Sequence, residues 1–85
     1  MYKIRLSNRA EKDLDALDEL TFERTLVKIK ELASNPRPIG YKKLINSNDF
    51  RIRVGVFRVL YEIDDKEKIV SIYRVEHRKE VYKKR

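Results

Sequence analysis

Residues 49–82 read DFRIRVGVFRVLYEIDDKEKIVSIYRVEHRKEVY, and the alternation in this stretch decides the fold. Phe50, Ile52 and Val54 alternate with Arg51 and Arg53, so a period of two sets the apolar side chains on one face and both guanidiniums on the other. This is a half-buried strand. Gly55 accepts a positive φ without strain, which predicts a two-residue hairpin at Gly55-Val56 with glycine first, as a type II′ turn prefers. The turn sets the register: Val54 opposite Phe57, Arg53 opposite Arg58, Ile52 opposite Val59, Arg51 opposite Leu60, Phe50 opposite Tyr61. One face then carries Phe50, Ile52, Val54, Phe57, Val59, Tyr61 and Ile63. The other collects Arg51, Arg53 and Arg58.

Like charges opposed across two strands destabilise a sheet by a fraction of a kcal/mol, and the folding of this hairpin does not ask for them. Solubility is one reason to keep them; an anionic ligand is another. After the polar turn Asp64-Asp65-Lys66-Glu67, a third strand is expected over Lys68–Val75, followed by His77-Arg78-Lys79-Glu80-Val81-Tyr82. If that tail is helical, Arg78 and Tyr82 lie four apart on one face with His77 beside them. Arg51, Arg53, Arg58, Arg78, His77 and Tyr82 are thus expected to converge on one patch.

The remaining sequence is compatible with a thin core. The chain has 85 residues, 41% apolar and 41% charged, and a domain of this size buries only about 60 to 65% of its unfolded surface. Residues 1–85 read as one domain, without repeat or linker. Cysteine is absent, which excludes disulfides and thiolate metal sites and suits a reducing compartment. No apolar run approaches the roughly 18 residues of a membrane span, and Met1–Leu6 alternates unlike a signal-peptide core. A cytoplasmic protein with no membrane partner is the expectation. Net charge is +7, and it is unevenly placed: residues 1–40 hold 8 basic and 7 acidic side chains, residues 41–85 hold 13 and 7. A basic half points to a polyanionic or an acidic protein partner.

Upstream, Tyr2, Ile4 and Leu6 alternate with Lys3, Arg5 and Ser7 as a first short strand. Ser7 or Asn8 can cap the helix that follows, and Asn8 with Glu11 has the form of a capping box. Ala10, Leu14 and Leu17 form its apolar stripe, and Asp18-Glu19 breaks it. A second helix is expected from about Thr21 to Ser34, with Phe22, Leu26, Ile29 and Ala33 inward, widened by Val27 and Leu32, and Asn35-Pro36 ending it. Residues 37–49, with Pro38 and Gly40, read as a loop in which Lys42 and Lys43 add charge at the hairpin's edge. The architecture is α+β: an N-terminal strand, an αα-hairpin packed on a mostly antiparallel four-stranded sheet, and a short C-terminal helix.

Several chemistries are not indicated. Gly40 and Gly55 are the only glycines, so there is no phosphate-binding glycine loop, and one histidine without cysteine offers no transition-metal cluster or other cofactor site. Phosphodiester chemistry fits better. Cleaving RNA needs no metal when the ribose 2′-OH is the nucleophile: that oxygen must be held in line, the phosphate charge neutralised and the leaving 5′ oxygen protonated. Arginine suits the second task through its planar, permanently charged fork, and is a poor proton carrier for the same reason. His77 is the one side chain with an ordinary pKa near neutrality. Tyr82 acts as acid or base only where neighbouring cations lower its pKa from about 10; it can also stack on a base. A surface histidine and a packing tyrosine are the plain alternatives for these two residues.

On the segments Phe50–Gly55, Phe57–Ile63 and Val75–Tyr82, the sequence resembles the RelE/ParE superfamily of toxins from prokaryotic toxin-antitoxin pairs. The helices, the Asn-Pro stop and the loop extend the resemblance over nearly the whole chain. It implies two N-terminal helices on an antiparallel sheet and, on the RelE branch, an mRNA endoribonuclease acting in the ribosomal A site. It further implies that Arg51, Arg53, Arg58, Arg78 and Tyr82 occupy positions that bind phosphate and promote cleavage, and that His77 occupies a position that is histidine in some relatives. Arg51 and Arg53 depart from the lysines of the best-known members, one of them suggested as the base, which moves proton abstraction toward His77 or Tyr82. A RelB-like antitoxin is the implied protein partner, covering or distorting the basic patch; mRNA and the ribosome are the implied nucleic-acid partners. A ParE-like toxin that binds DNA gyrase without cutting RNA is the alternative, and a non-catalytic RNA-binding module is a third.

Overall fold

In the computed structural model, residues 1–45 and 47–78 are described. The chain runs β1 (Lys3–Leu6), α1 (Asn8–Asp15), α2 (Glu19–Glu31), β2 (Lys42–Lys43), β3 (Asp49–Val54), β4 (Phe57–Asp64) and β5 (Ile69–His77). The strands form one sheet in the order β1-β5-β4-β3-β2. All neighbours are antiparallel except β1 and β5, which are parallel.

The β3–β4 hairpin has the expected register, from Phe50 opposite Tyr61 to Val54 opposite Phe57. Gly55 has φ +60 and Val56 is not among the positive-φ residues, the signature of a type II′ turn. Between β4 and β5 the register jumps: Leu60 pairs with Arg74 and Tyr61 with Ile72, leaving Tyr73 as the extra residue of a bulge. The bulge reconciles an irregular pattern. Val70, Ile72 and Val75 are all buried, and without the extra residue Val75 would face the same side as Arg74 does now.

Both helices are capped by side chains. Ser7 accepts from the Ala10 N–H at 3.0 Å, and Asp18 accepts from the Thr21 N–H at 2.8 Å. Their inward faces meet Phe50, Ile52, Val54, Val59, Tyr61, Val70, Ile72 and Val75 through Ala10, Leu14, Ile29 and Leu32.

The structure corrects several boundaries. The sheet has five strands rather than four, because Lys42-Lys43, expected in a loop, pairs with Arg51 and Phe50. Ser7, not Asn8, is the cap of α1, since its oxygen reaches the N–H three residues on. α1 stops at Asp15 with Ala16 as its C-cap, and Asp18 caps the second helix, so α2 begins at Glu19 and ends at Glu31. Its buried line is Thr25, Ile29 and Leu32, while Val27 is exposed. The third hairpin strand runs on to His77, and Lys68 belongs to the preceding turn with φ 58. Of the expected C-terminal helix over His77–Tyr82, His77 instead ends β5 and Arg78 is helical, while residues 79–82 lie outside the described residues.

Candidate nucleic-acid interface

α1 and α2 cover one face of the sheet, and among the described residues no helix covers the other, the open face. Residues paired across neighbouring strands share a face, so the register reads directly as rows on the open side. Lys42, Arg51, Leu60 and Arg74 form one row across four strands; Arg53, Arg58 and Glu76 form the next, toward the hairpin turn. Four of the sequence-predicted cations, Lys42, Arg51, Arg53 and Arg58, are therefore brought together. Arg53 is exposed and Arg58 half-buried. The Arg58 Nε is shielded from solvent and lacks a hydrogen-bond partner. A desolvated guanidinium nitrogen without an acceptor is costly, a cost that an oxygen-rich anion drawing the fork outward would relieve.

Other predicted residues stand elsewhere. Lys43 pairs with Phe50 and so lies on the helix side of the sheet. His77 pairs with Phe57, also on the helix side, and its ring meets the Phe57 ring edge-on at 5.1 Å. The register thus separates His77 from the arginine face, against the expectation that it joins the patch; the extra residue at Tyr73 and the two further strand positions after Val75 set that parity. The Arg78 backbone turns helical and its N–H bonds the Val56 carbonyl at 2.8 Å, tying it to the hairpin turn two residues from Arg58. Tyr82 lies outside the described residues.

The open face is polar in the electrical sense as well. At its far end Asp49 pairs with Glu62 and Glu62 with Ser71, and a groove of about 560 Å³ is lined by Arg5, Asn48, Glu62, Asp64, Asp65 and Ser71. Burial, and then the nearby carboxylates of Asp49, Glu62 and Glu76, push the Tyr73 phenol up to about 12. Positive charge collects at the hairpin turn and negative charge at the β4–β5 turn.

Against known proteins, the family model described as the ParE toxin of the type II toxin-antitoxin system, parDE, matches residues 4–82. The chain belongs to this RelE/ParE superfamily of toxins. The toxin RelG of Mycobacterium tuberculosis is 32% identical over 89 residues, spanning 98% of both chains. Among solved structures, the RelBE2 toxin-antitoxin complex of the same organism matches at TM-score 0.81 and 31% identity, over 91% of this chain and 98% of that one. The archaeal RelE-RelB complex of Pyrococcus horikoshii matches at TM-score 0.82 and 25% identity, over 91% and 94%.

Arg74 and Glu76 on the toxin's open face, with Asp13 reaching Arg74 from α1, carry charge that sequence reading passed over. Asp13 on α1 accepts the Val75 N–H at 2.9 Å, closing the edge of β5 where β1 has ended. The same carboxylate binds Arg9 at 3.1 Å and the Arg74 Nε at 3.0 Å, and Arg74 Nη1 reaches Glu76 at 3.4 Å. Arg74 and Glu76 alternate along β5 as Arg51 and Arg53 do along β3, and that alternation was the available signal; the bulge at Tyr73 hid which face it belongs to.

Proposed function

We propose that this type II toxin is an mRNA endoribonuclease that works on the ribosome, cleaving by attack of a ribose 2′-OH on the adjoining phosphodiester. The observation that carries the reading is the row of Arg53 and Arg58 beside Lys42 and Arg51 on the uncovered face, with the Arg58 Nε buried and without an acceptor. Arg58 and Arg78 clamp the scissile phosphate in this reading, and Arg51, Arg53, Lys42 and Lys43 hold flanking phosphates or rRNA. Lys43 does so from the sheet's edge. Guanidiniums neutralise the charge that grows on the phosphate without moving protons themselves.

Proton transfer then rests with Tyr82 or His77. The parity of β5 favours Tyr82, since the His77 ring is engaged with Phe57 on the other face. A RelB-like antitoxin is the proposed protein partner; solved relatives are complexes of RelE with RelB. An antitoxin that supplies carboxylates to the arginine rows occupies the phosphate positions.

The test is to add the purified toxin to a translating extract and map mRNA ends. Codon-positioned cuts that vanish with Arg58→Gln and Arg78→Ala support the reading. Intact message at inhibitory concentrations of toxin sinks it. A second reading, gyrase poisoning, is favoured by the match to the family model of ParE toxins. Inhibition of gyrase supercoiling by the same preparation, with mRNA left whole, establishes that one instead.

A further inference from the structure

Glu76 stands directly opposite Arg58 on the open face, where a carboxylate and a guanidinium are expected to pair. They do not. Among the described residues no ion pair joins them; Glu76 Oε1 lies 3.4 Å from Arg74 Nη1, and the Arg58 Nε is left without a partner. Arg74 is itself held: its Nε lies 3.0 Å from Asp13 Oδ2, and Asp13 is fixed by the Val75 N–H and by Arg9. The side chains of Asp13, Arg74 and Glu76 are 12%, 17% and 13% exposed, so the chain of alternating charge runs through a largely desolvated strip, where charge pairing is less screened than at a free surface.

We propose that Arg74 is a positioning residue that draws the Glu76 carboxylate aside and so keeps the Arg58 charge uncompensated for a phosphate. The inference rests on the phosphodiester reading of the arginine face. Glu76 has two cations within reach on one face, one across the strand pair and one two residues back along its own strand. Arg74 wins because Asp13 orients its guanidinium from the helix side. Remove Arg74, and the only neighbouring cation left to Glu76 on its row is Arg58, whose fork then closes on a carboxylate. The ligand served is a phosphodiester or another tetrahedral oxyanion. Arg74 acts on Arg58 through Glu76, as a positioning residue.

The experiment follows the Arg58 Nε–H resonance of the ¹⁵N-labelled toxin together with cleavage, in the wild type, Arg74→Met, Glu76→Gln and the double variant. Methionine keeps the unbranched stem of Arg74. In wild type the Nε–H shifts on addition of inorganic phosphate. In Arg74→Met it is already shifted and responds weakly to phosphate, and cleavage falls at least about tenfold, as loss of one charge-assisted contact implies. The double variant regains the wild-type resonance and cleaves within about threefold of wild type, which removal of a merely structural ion pair would not achieve. A double variant as impaired as Arg74→Met overturns the proposal. So does a large shift of the resonance in Glu76→Gln alone, because it means Glu76 already pairs with Arg58; that variant decides the matter if Arg74→Met does not fold. If the wild type shows the resonance pattern and the rescue but cuts no RNA, the positioning role stands and the endoribonuclease reading falls.

Discussion

The Tyr61 hydroxyl donates a 2.7 Å hydrogen bond to the carbonyl of Pro36. Tyr61 is fully buried at the centre of β4 and stacks on Phe50 at 5.9 Å, so the bond fastens the segment after α2 to the middle of the sheet. Tyr61→Phe leaves the Pro36 carbonyl without its donor. It is expected to lower stability by about 1–2 kcal/mol, measured as a shift of the urea midpoint at unchanged slope.

Alkaline pH acts through the same residue. Burial pushes the Tyr61 phenol up to about 12, above the value of about 10 for an unfolded chain. A raised pKa means that the native state holds the proton more tightly, so the contribution is complete below pH 10 and is lost as pH rises toward 12. Tyr61→Phe should flatten the fall in stability across that window; an unchanged profile would assign the alkaline limb to Tyr73, whose pKa is raised as well.

At acid pH the sensitive group is Asp65. The Arg37 guanidinium, bonded to both carboxylate oxygens at 3.3 and 2.9 Å, and the Tyr2 hydroxyl hold its pKa at about 2. Because the native pKa is depressed, the contribution exists above the unfolded value near 3.9 and disappears as pH falls toward 2. Asp65→Asn should weaken stability at pH 5 and remove part of the acid transition, by an amount that shrinks in high salt since the pair is exposed.

The hairpin turn isolates a backbone effect. Gly55 sits at φ +60, and a Cβ built there meets nothing within 4 Å. Gly55→Ala therefore costs conformation alone, about 1–2 kcal/mol, and Gly55→Asn less. Equal losses for the two would mean that contact, not φ, governs the site.

Thr25 offers a gain. It is fully buried in α2 with its Oγ1 unpartnered. Valine has nearly the same shape and helix propensity, so Thr25→Val should raise stability by about 1 kcal/mol through removal of a desolvated hydroxyl. A loss would place an unseen acceptor beside Thr25.

Arg58→Gln is expected to leave the melting temperature unchanged or slightly raised, since it relieves the opposition of Arg53 and Arg58. The affinity for single-stranded RNA should drop, and the slope of log affinity against log salt should fall by about 0.7. A collapsed fold would contradict the placement of this side chain on the open face.

These residues also show where sequence reading succeeded. The hairpin was legible because its period of two and its single permissive glycine agree, and together they determine every pair from Phe50–Tyr61 to Val54–Phe57. On α2 the inward residues Ile29 and Leu32 were legible and Thr25 was not, because a polar residue occupies the core where an apolar one was sought, and apolar Val27 is exposed instead. The place of His77 was lost to the bulge at Tyr73, since one inserted residue reverses the face of all that follows. The Asp13–Arg74–Glu76 strip joins positions 61 residues apart and has no local periodicity to announce it.

The parallel pairing of β1 with β5 has a temporal consequence. Among the described residues Lys3–Leu6 pairs with Ile69–Ile72, so a nascent chain leaving the ribosome carries its first strand unpaired until Ile72 has emerged. Strand association over such a separation is slow compared with the closing of the local hairpin. Arg51, Arg53 and Arg58 can come together in the β3–β4 hairpin before β5 is made, but the helix-backed sheet that rigidifies them closes later, which leaves an interval in which a co-expressed partner can meet the toxin before it is fully armed.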